Sequence, residues 1–268
     1  MKNYERNSMN SIRKLIQVDI DMTNKIVSFN SNHENNVDTS ALINPTYYKV
    51  NGIDVVSIFK RKNLNEISLD GNPLIYALKG IKDWRFSNPA VDIINLLKQF
   101  IRIAEKIKPK YDTIITIPSS NELNIKFLYR LNKIIKSDFQ IIDYLYKMNS
   151  DDVYENYVDR HKMKDDYKDD YIFAEKKINK FFYKMKTDNN EYFSFKFIQD
   201  VNLRKYITKT MYSDDEKTIE YAPHINDKNI LILDDTISSG ASISGACREI
   251  KETFVPKTIT VITLFSKL

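Results

Sequence analysis

No stretch of this chain limits its fold more than Asn229–Gly245, NILILDDTISSGASISG. Its first five residues read as a strand. Two aspartates follow, then a run rich in Thr, Ser and Gly, and from Ala241 the segment ASISGACREIKETF reads as a helix. TITVITLF then reads as a closing strand. Strand, crossover helix and strand make one βαβ unit, the building block of a parallel α/β sheet. The chain has only five glycines, and one of them, Gly240, stands among hydroxyls just behind the carboxylate pair.

The same alternation is legible upstream. From Asn88, NPAVDIINLLKQFIRIAEKI places apolar groups at Val91, Ile94, Leu97, Ile101, Ile103 and Ala104, the spacing of an amphipathic helix that Pro109 ends. YDTIITIP reads as a buried strand, IKFLYRLNKII as a second helix and FQIIDYLY as a further strand.

Two regions depart from that alternation. KLIQVDI and KIVSF are β-rich around the turn-like DMTN, and YYKV and IDVVSIF flank Asn51-Gly52, suited to a type I′ hairpin. They predict an N-terminal antiparallel β appendage over residues 1–69, ahead of an α/β domain over residues 70–268. Within that domain, residues 151 to about 215 mix both charges with aromatic groups. Tyr154, Tyr157, His161, Tyr171, Ala174, Ile178, Phe181 and Met185 recur at roughly helical intervals and predict a helical insertion. Asp165-Asp166 and Asp169-Asp170 read as a solvated helix face rather than as metal ligands.

Composition removes several classes of function. At 268 residues, 42% hydrophobic and 29% charged, the chain has the make-up of a soluble globular protein with a sizeable core. No apolar run approaches the ~20 residues that span a bilayer, and the N-terminus lacks a signal-type apolar core. The expectation is a cytoplasmic protein with no membrane partner. Cys247 is the sole cysteine, which excludes intrachain disulfides and cysteine-rich zinc sites. His33, His161 and His224 are too scattered for a metal cluster, so structural roles are expected and no protein metal site is read. A net charge of +5 favours polyanions, whether nucleic acid or a phosphorylated metabolite, without choosing between them.

Ligands of open α/β sheets bind beyond the carboxyl ends of the strands, where loops meet helix N-termini. Asp234 and Asp235 stand at such a point. The backbone N–H groups of Thr236, Ile237, Ser238, Ser239, Gly240, Ala241 and Ser242 can turn toward an anion, and the helix from Ala241 adds its partial positive charge. Four hydroxyls can donate hydrogen bonds, and Gly240 lets the backbone approach a phosphate with no Cβ in the way. A phosphate cradle beside a carboxylate pair suits a ligand carrying both phosphate and neighbouring hydroxyls. Used only for capping and turns, the same Asp, Ser and Gly residues would need no ligand.

The order aliphatic strand, acid-acid, two intervening residues, Ser-Ser-Gly-Ala-Ser resembles the phosphoribosyl-pyrophosphate motif of type I phosphoribosyltransferases, with Ser239 and Ser242 in place of the usual threonines. The resemblance implies a parallel sheet flanked by helices. It implies that Asp234 and Asp235, the catalytic candidates, hold the ribose hydroxyls, and that Thr236–Ser242 hold the 5′-phosphate. A second family loop receives pyrophosphate, and Ser119, Ser120 and Asn121 in TIITIPSSN stand where it is expected. ComF-type phosphoribosyltransferases are the most similar subgroup. GNPLIYALKGIKDW resembles their lysine-bearing segment, which puts Lys79 near the pyrophosphate, and DTIITIP resembles their Asp-strand-Pro segment. The resemblance covers about residues 70–268. Two departures stand out: the four-cysteine zinc module is impossible here, and ELNIKFLYRL replaces an Arg-Gly-Phe-Asn-Gln run.

What the resemblance implies is Mg²⁺-dependent binding of phosphoribosyl pyrophosphate and transfer of phosphoribose to a nitrogenous acceptor, with release of pyrophosphate. The insertion is expected to close over the site, with Arg160, Lys162, Arg204 and Lys205 available to the diphosphate. A non-catalytic sensor of the sugar phosphate, or an effector of a bacterial defence or toxin system, are the rival readings. A homodimer and a nucleic-acid or protein partner stay open.

Overall fold

The computed structural model describes residues 17–30, 37–61, 73–107, 111–119, 123–135, 139–198, 200–237 and 239–266. Strands β1 (Gln17–Asp21) and β2 (Ile26–Asn30) pair antiparallel. After β3 (Val37–Asp38), β4 (Thr46–Val50) and β5 (Ile53–Arg61) form the expected hairpin. Its corner residues Asn51 and Gly52 both hold positive φ, 50° and 80°, as a type I′ turn requires. There follow α1 (Pro73–Lys79), β6 (Arg85–Phe86), α2 (Pro89–Ile107), β7 (Thr113–Thr116) and α3 (Leu123–Ile135). Then come β8 (Gln140–Ile142), β9 (Leu145–Lys147), and helices α4 (Ser150–Asn156), α5 (Arg160–Tyr167) and α6 (Tyr171–Thr187). The described chain ends with β10 (Met211–Ser213), α7 (Asp215–Ile225), β11 (Asn229–Ile237), α8 (Ala241–Thr253) and β12 (Thr258–Ser266).

The fold is mixed α/β. Five strands, in the order β5-β12-β11-β7-β8, lie parallel, and β3 and β4 pair antiparallel with the outer edge of β5. The aliphatic run of β11 is explained by its central place. Leu231 and Leu233 enter one core with Leu74 of α1, Phe100 of α2 and Leu131 of α3. Ile230 and Ile232 enter the opposite core with Ile225 of α7 and Ile243 and Ile250 of α8. A strand covered on both faces has no polar side to alternate with.

Three expectations need correcting. The strands β3, β4 and β5 are not part of an appendage, because β5 is a parallel neighbour of β12 within the central sheet; β1 and β2 form a separate sheet with β6. A boundary at residue 69 therefore divides the central sheet, since β5 supplies the hydrogen-bonded neighbour on one edge of β12. In α2 the buried positions are Asp92, Leu96, Phe100, Ile103 and Ala104, whereas Val91, Ile94 and Ile101 are exposed. Apolar residues occupy more than one face of this helix, so periodicity alone could not choose the inward one. Asp92 is the unexpected anchor: its carboxylate accepts from the Phe29 and Asn88 amides at 3.1 and 2.8 Å, tying β2 to the start of α2. Finally, the single strand expected over residues 139–146 is two strands. Only β8 joins the sheet; β9 turns away to pair with β10.

That second pairing is the stem of the insertion. The chain leaves the sheet along β9 and returns along β10, and the helices between enclose a third apolar core. Its centre holds Val153, Met163, Ala174, Ile178, Phe182, Met185, Leu203 and Tyr206. The residue facing inward is Phe182, one position beyond the expected Phe181. Asp165, Asp166, Asp169 and Asp170 are exposed, as a solvated face requires. Among the described residues no helix is long and apolar enough to cross a membrane.

Candidate functional site

The parallel register brings two loops together at one end of the sheet. Leu233 of β11 is level with Thr116 of β7, and the Ile117 amide donates to the Leu233 carbonyl at 3.0 Å. Asp234 and Asp235 therefore stand beside the turn Ile117-Pro118-Ser119. The buried Asn124 amide of α3 donates to the Ile117 carbonyl at 3.1 Å and holds that turn in place.

Around this point lies a cavity of about 290 Å³. Asp234, Asp235, Thr236, Ile237, Ser239, Gly240, Ala241 and Ser242 form one wall. Lys79, at the end of α1, and Ser119 stand on it too, so the structure unites these expected residues. Ser120, Asn121 and Ser238 lie outside the described residues, as does His33.

Both carboxylates are largely buried, 8% and 7% exposed, a costly placement unless something compensates. For Asp235 the compensation is Lys79, whose ammonium lies 2.5 Å from its carboxylate. Asp234 accepts a hydrogen bond from the Asp235 amide at 2.8 Å. Burial first, and then the charge of Asp235, push the Asp234 carboxyl up from the usual carboxylate range to about 8. Near neutral pH the pair thus holds a proton that a separate, solvated pair would have lost. Such a pair can both donate to and accept from the hydroxyls of a ligand.

The loop beyond the acids fits an anion. Gly240, the N-cap of α8, has no side chain to cap it; the Ala241 amide donates to Ser239 Oγ at 3.4 Å, and the helix N-terminus faces the cavity through Ala241 and Ser242. The Thr236 hydroxyl is buried and, among the described residues, meets no hydrogen-bond partner. Gly240 itself corrects an expectation. Its φ is +74°, and a Cβ there would lie 2.3 Å from Cγ1 of Val50. Glycine is thus required by backbone conformation and by the β4–β5 hairpin packed behind the loop, and not by the approach of a phosphate alone.

The insertion supplies the opposite wall: Phe193, Ser194, Phe195 and Arg204, with Lys147, Thr210 and Met211 from its stem. Arg204 is buried, and its Nε donates to the Ile198 carbonyl at 2.8 Å. Of the four insertion cations expected near a diphosphate, Arg204 alone lines this cavity. Arg160 turns instead to Glu175 and to the Tyr154 ring, while Lys162 and Lys205 face a neighbouring cleft. Lys147, Phe193 and Phe195 had no sequence signal, because only the folding-back of the insertion brings them here.

Among the described residues no three His, Cys, Asp or Glu side chains group as a metal cage. Asp234 and Asp235 supply oxygen donors of the kind a Mg²⁺ ion takes alongside water. No family model, curated protein or solved structure matches this chain.

Proposed function

We propose that this cavity binds phosphoribosyl pyrophosphate and that the protein transfers its phosphoribosyl group to a nitrogenous acceptor. The observation that carries the reading is the convergence, in one cavity, of a buried acid pair, a hydroxyl-bearing turn at a helix N-terminus and three basic side chains, Lys79, Lys147 and Arg204, from separate parts of the chain. The type I phosphoribosyltransferase fold belongs to the same proposal. Five parallel strands with the acid pair at the carboxyl end of the central one support it.

In this reading Asp234 and Asp235 take the two ribose hydroxyls, and Ser239–Ser242, between the end of β11 at Ile237 and the first turn of α8, takes the 5′-phosphate. Ser119 and Lys79 face the pyrophosphate, together with Arg204 from the insertion. A bound Mg²⁺ ion would neutralise diphosphate charge, and Asp234 and Asp235 are the residues that would hold it. The acceptor nitrogen forms a bond to the anomeric carbon as the bond from that carbon to the pyrophosphate oxygen breaks, its electron pair leaving with pyrophosphate. Positive charge grows on the ribose meanwhile, and the Asp235 carboxylate stabilises it electrostatically. Phe193 and Phe195 give the opposite wall apolar surface.

Calorimetry tests the reading. Phosphoribosyl pyrophosphate with Mg²⁺ is expected to bind the wild-type chain, and Asp235→Asn to weaken it tenfold or more. Absence of heat and of thermal stabilisation at millimolar ligand would sink it.

A further inference from the structure

On the far side of the Ser239–Ala241 loop lies a second cleft, of about 500 Å³. It shares Arg204, Thr210, Ser239 and Ala241 with the first cavity, so the two spaces meet at the phosphate loop. Five cations line it: Lys162 from α5, Arg204 and Lys205 from the 3₁₀ turn Val201–Tyr206, Lys209, and Arg248 from α8. The one acid on its wall, Asp159, is explained locally, since its carboxylate accepts from the Lys162 amide and caps α5. Carboxylates that pair with these cations, Asp166 with Lys205, Glu249 with Lys209 and Glu252 with Arg248, are not on the wall. They steady the cations from behind.

A terminal phosphate needs only the loop. It has no use for a second cleft of this size, lined by cations and reached through the same loop residues. A concave surface on which five cations face one acid concentrates its field on a ligand of negative charge. Arginine in particular matches phosphate oxygens with paired donors.

We infer that the second cleft is an oligoanion subsite. A phosphate seated at Ser239–Ser242 can be the inner member of a chain of linked phosphates that continues between α5 and α8. This inference rests on the phosphate assignment of the loop made above, and adds ligands with linked phosphates to a sugar with a terminal one. Linked phosphates can come from a free oligophosphate ester or from the 5′ end of a nucleic acid, and the chemistry of the cleft is common to both.

Titration calorimetry on the whole chain tests it with inorganic orthophosphate, inorganic tripolyphosphate and a decathymidylate carrying a 5′-triphosphate. The comparison is the Lys162→Glu, Arg248→Glu double variant, which leaves the first cavity untouched. Wild type is expected to bind tripolyphosphate at least tenfold more tightly than orthophosphate. The variant is expected to lose that margin while keeping its melting temperature and its affinity for phosphoribosyl pyrophosphate. Decathymidylate that competes with tripolyphosphate assigns the chain to nucleic acid; tripolyphosphate binding alone assigns it to a small oligophosphate. If phosphoribosyl pyrophosphate fails to bind but the tripolyphosphate margin is present and charge-dependent, the subsite stands and the phosphoribosyl reading falls. Equal affinity of wild type for the two inorganic ions, or an unchanged margin in the variant, overturns the subsite.

Discussion

Lys79 and Asp235, far apart in the chain, form a short ion pair, 2.5 Å long, at the floor of the cavity, with both side chains largely shielded from water. α1 ends at Lys79, and β11 carries Asp235 next to an acid whose own carboxyl is pushed toward the neutral form. The pair holds one negative charge of the site in place when no ligand does so. A ligand whose hydroxyls take Asp235 must draw Lys79 away, toward whatever negative charge it brings.

Lys79→Met is therefore expected to destabilise the fold. Leaving Asp235 without its cation should cost on the order of 3 kcal/mol of stability, read by denaturant unfolding. Adding Asp235→Asn should recover most of that loss, because the uncompensated charge disappears with it. A double variant less stable than Lys79→Met would show that the pair is not what holds Asp235.

The second expectation concerns pH. Asp234 has a folded-state pKa raised to about 8, so between about pH 4 and pH 8 the folded chain holds a proton that the unfolded chain releases. Its contribution to stability is therefore intact at low pH and declines as pH rises through that window. Asp234→Asn removes the titration and should melt higher than wild type by a margin that widens toward pH 8. Each kcal/mol of difference is worth about 2–4 °C in a chain of this size. The variant should at the same time lose phosphoribosyl pyrophosphate. A margin that stays level from pH 4.5 to 8.5 contradicts the assignment.

Gly240 gives a packing test. Gly240→Ala forces a side chain into a left-handed backbone, at about 1–2 kcal/mol, and drives it into Val50. Val50→Ala should relieve the second part. In a double-variant cycle the two changes should couple favourably by about 0.5 kcal/mol or more. Strict additivity would show that the β4–β5 hairpin does not press on the loop.

The insertion should be separable in stability from the sheet but not from the site. Ile178→Ala empties part of its buried core at a cost of about 2–5 kcal/mol. Limited proteolysis should then cut first between residues 150 and 207. Ligand affinity should fall although Ile178 does not line the cavity, because the α6 core supports the turn that carries Arg204. Unchanged affinity in a variant whose insertion is readily cleaved would remove Arg204 and the Phe193 wall from the site.

The strand before the acid pair and the helix from Ala241 to Thr253 were legible in the sequence, because each depends on contacts a few residues apart; that β11 runs on through both acids to Ile237 depends on its pairing with β12. The Asn51-Gly52 turn and the helical character of the insertion were legible for the same reason. Tertiary structure alone decided which face of α2 turns inward, since Val91 and Ile94 are as apolar as Leu96 and Phe100 and only the sheet distinguishes them. It decided that β5 is a sheet strand, which depends on β12, laid down some two hundred residues later. It also decided the second half of the site. Lys147, Phe193 and Arg204 reach the acid pair only because the β9–β10 stem folds the insertion back over the carboxyl end of the sheet, a long-range closure that no local pattern encodes.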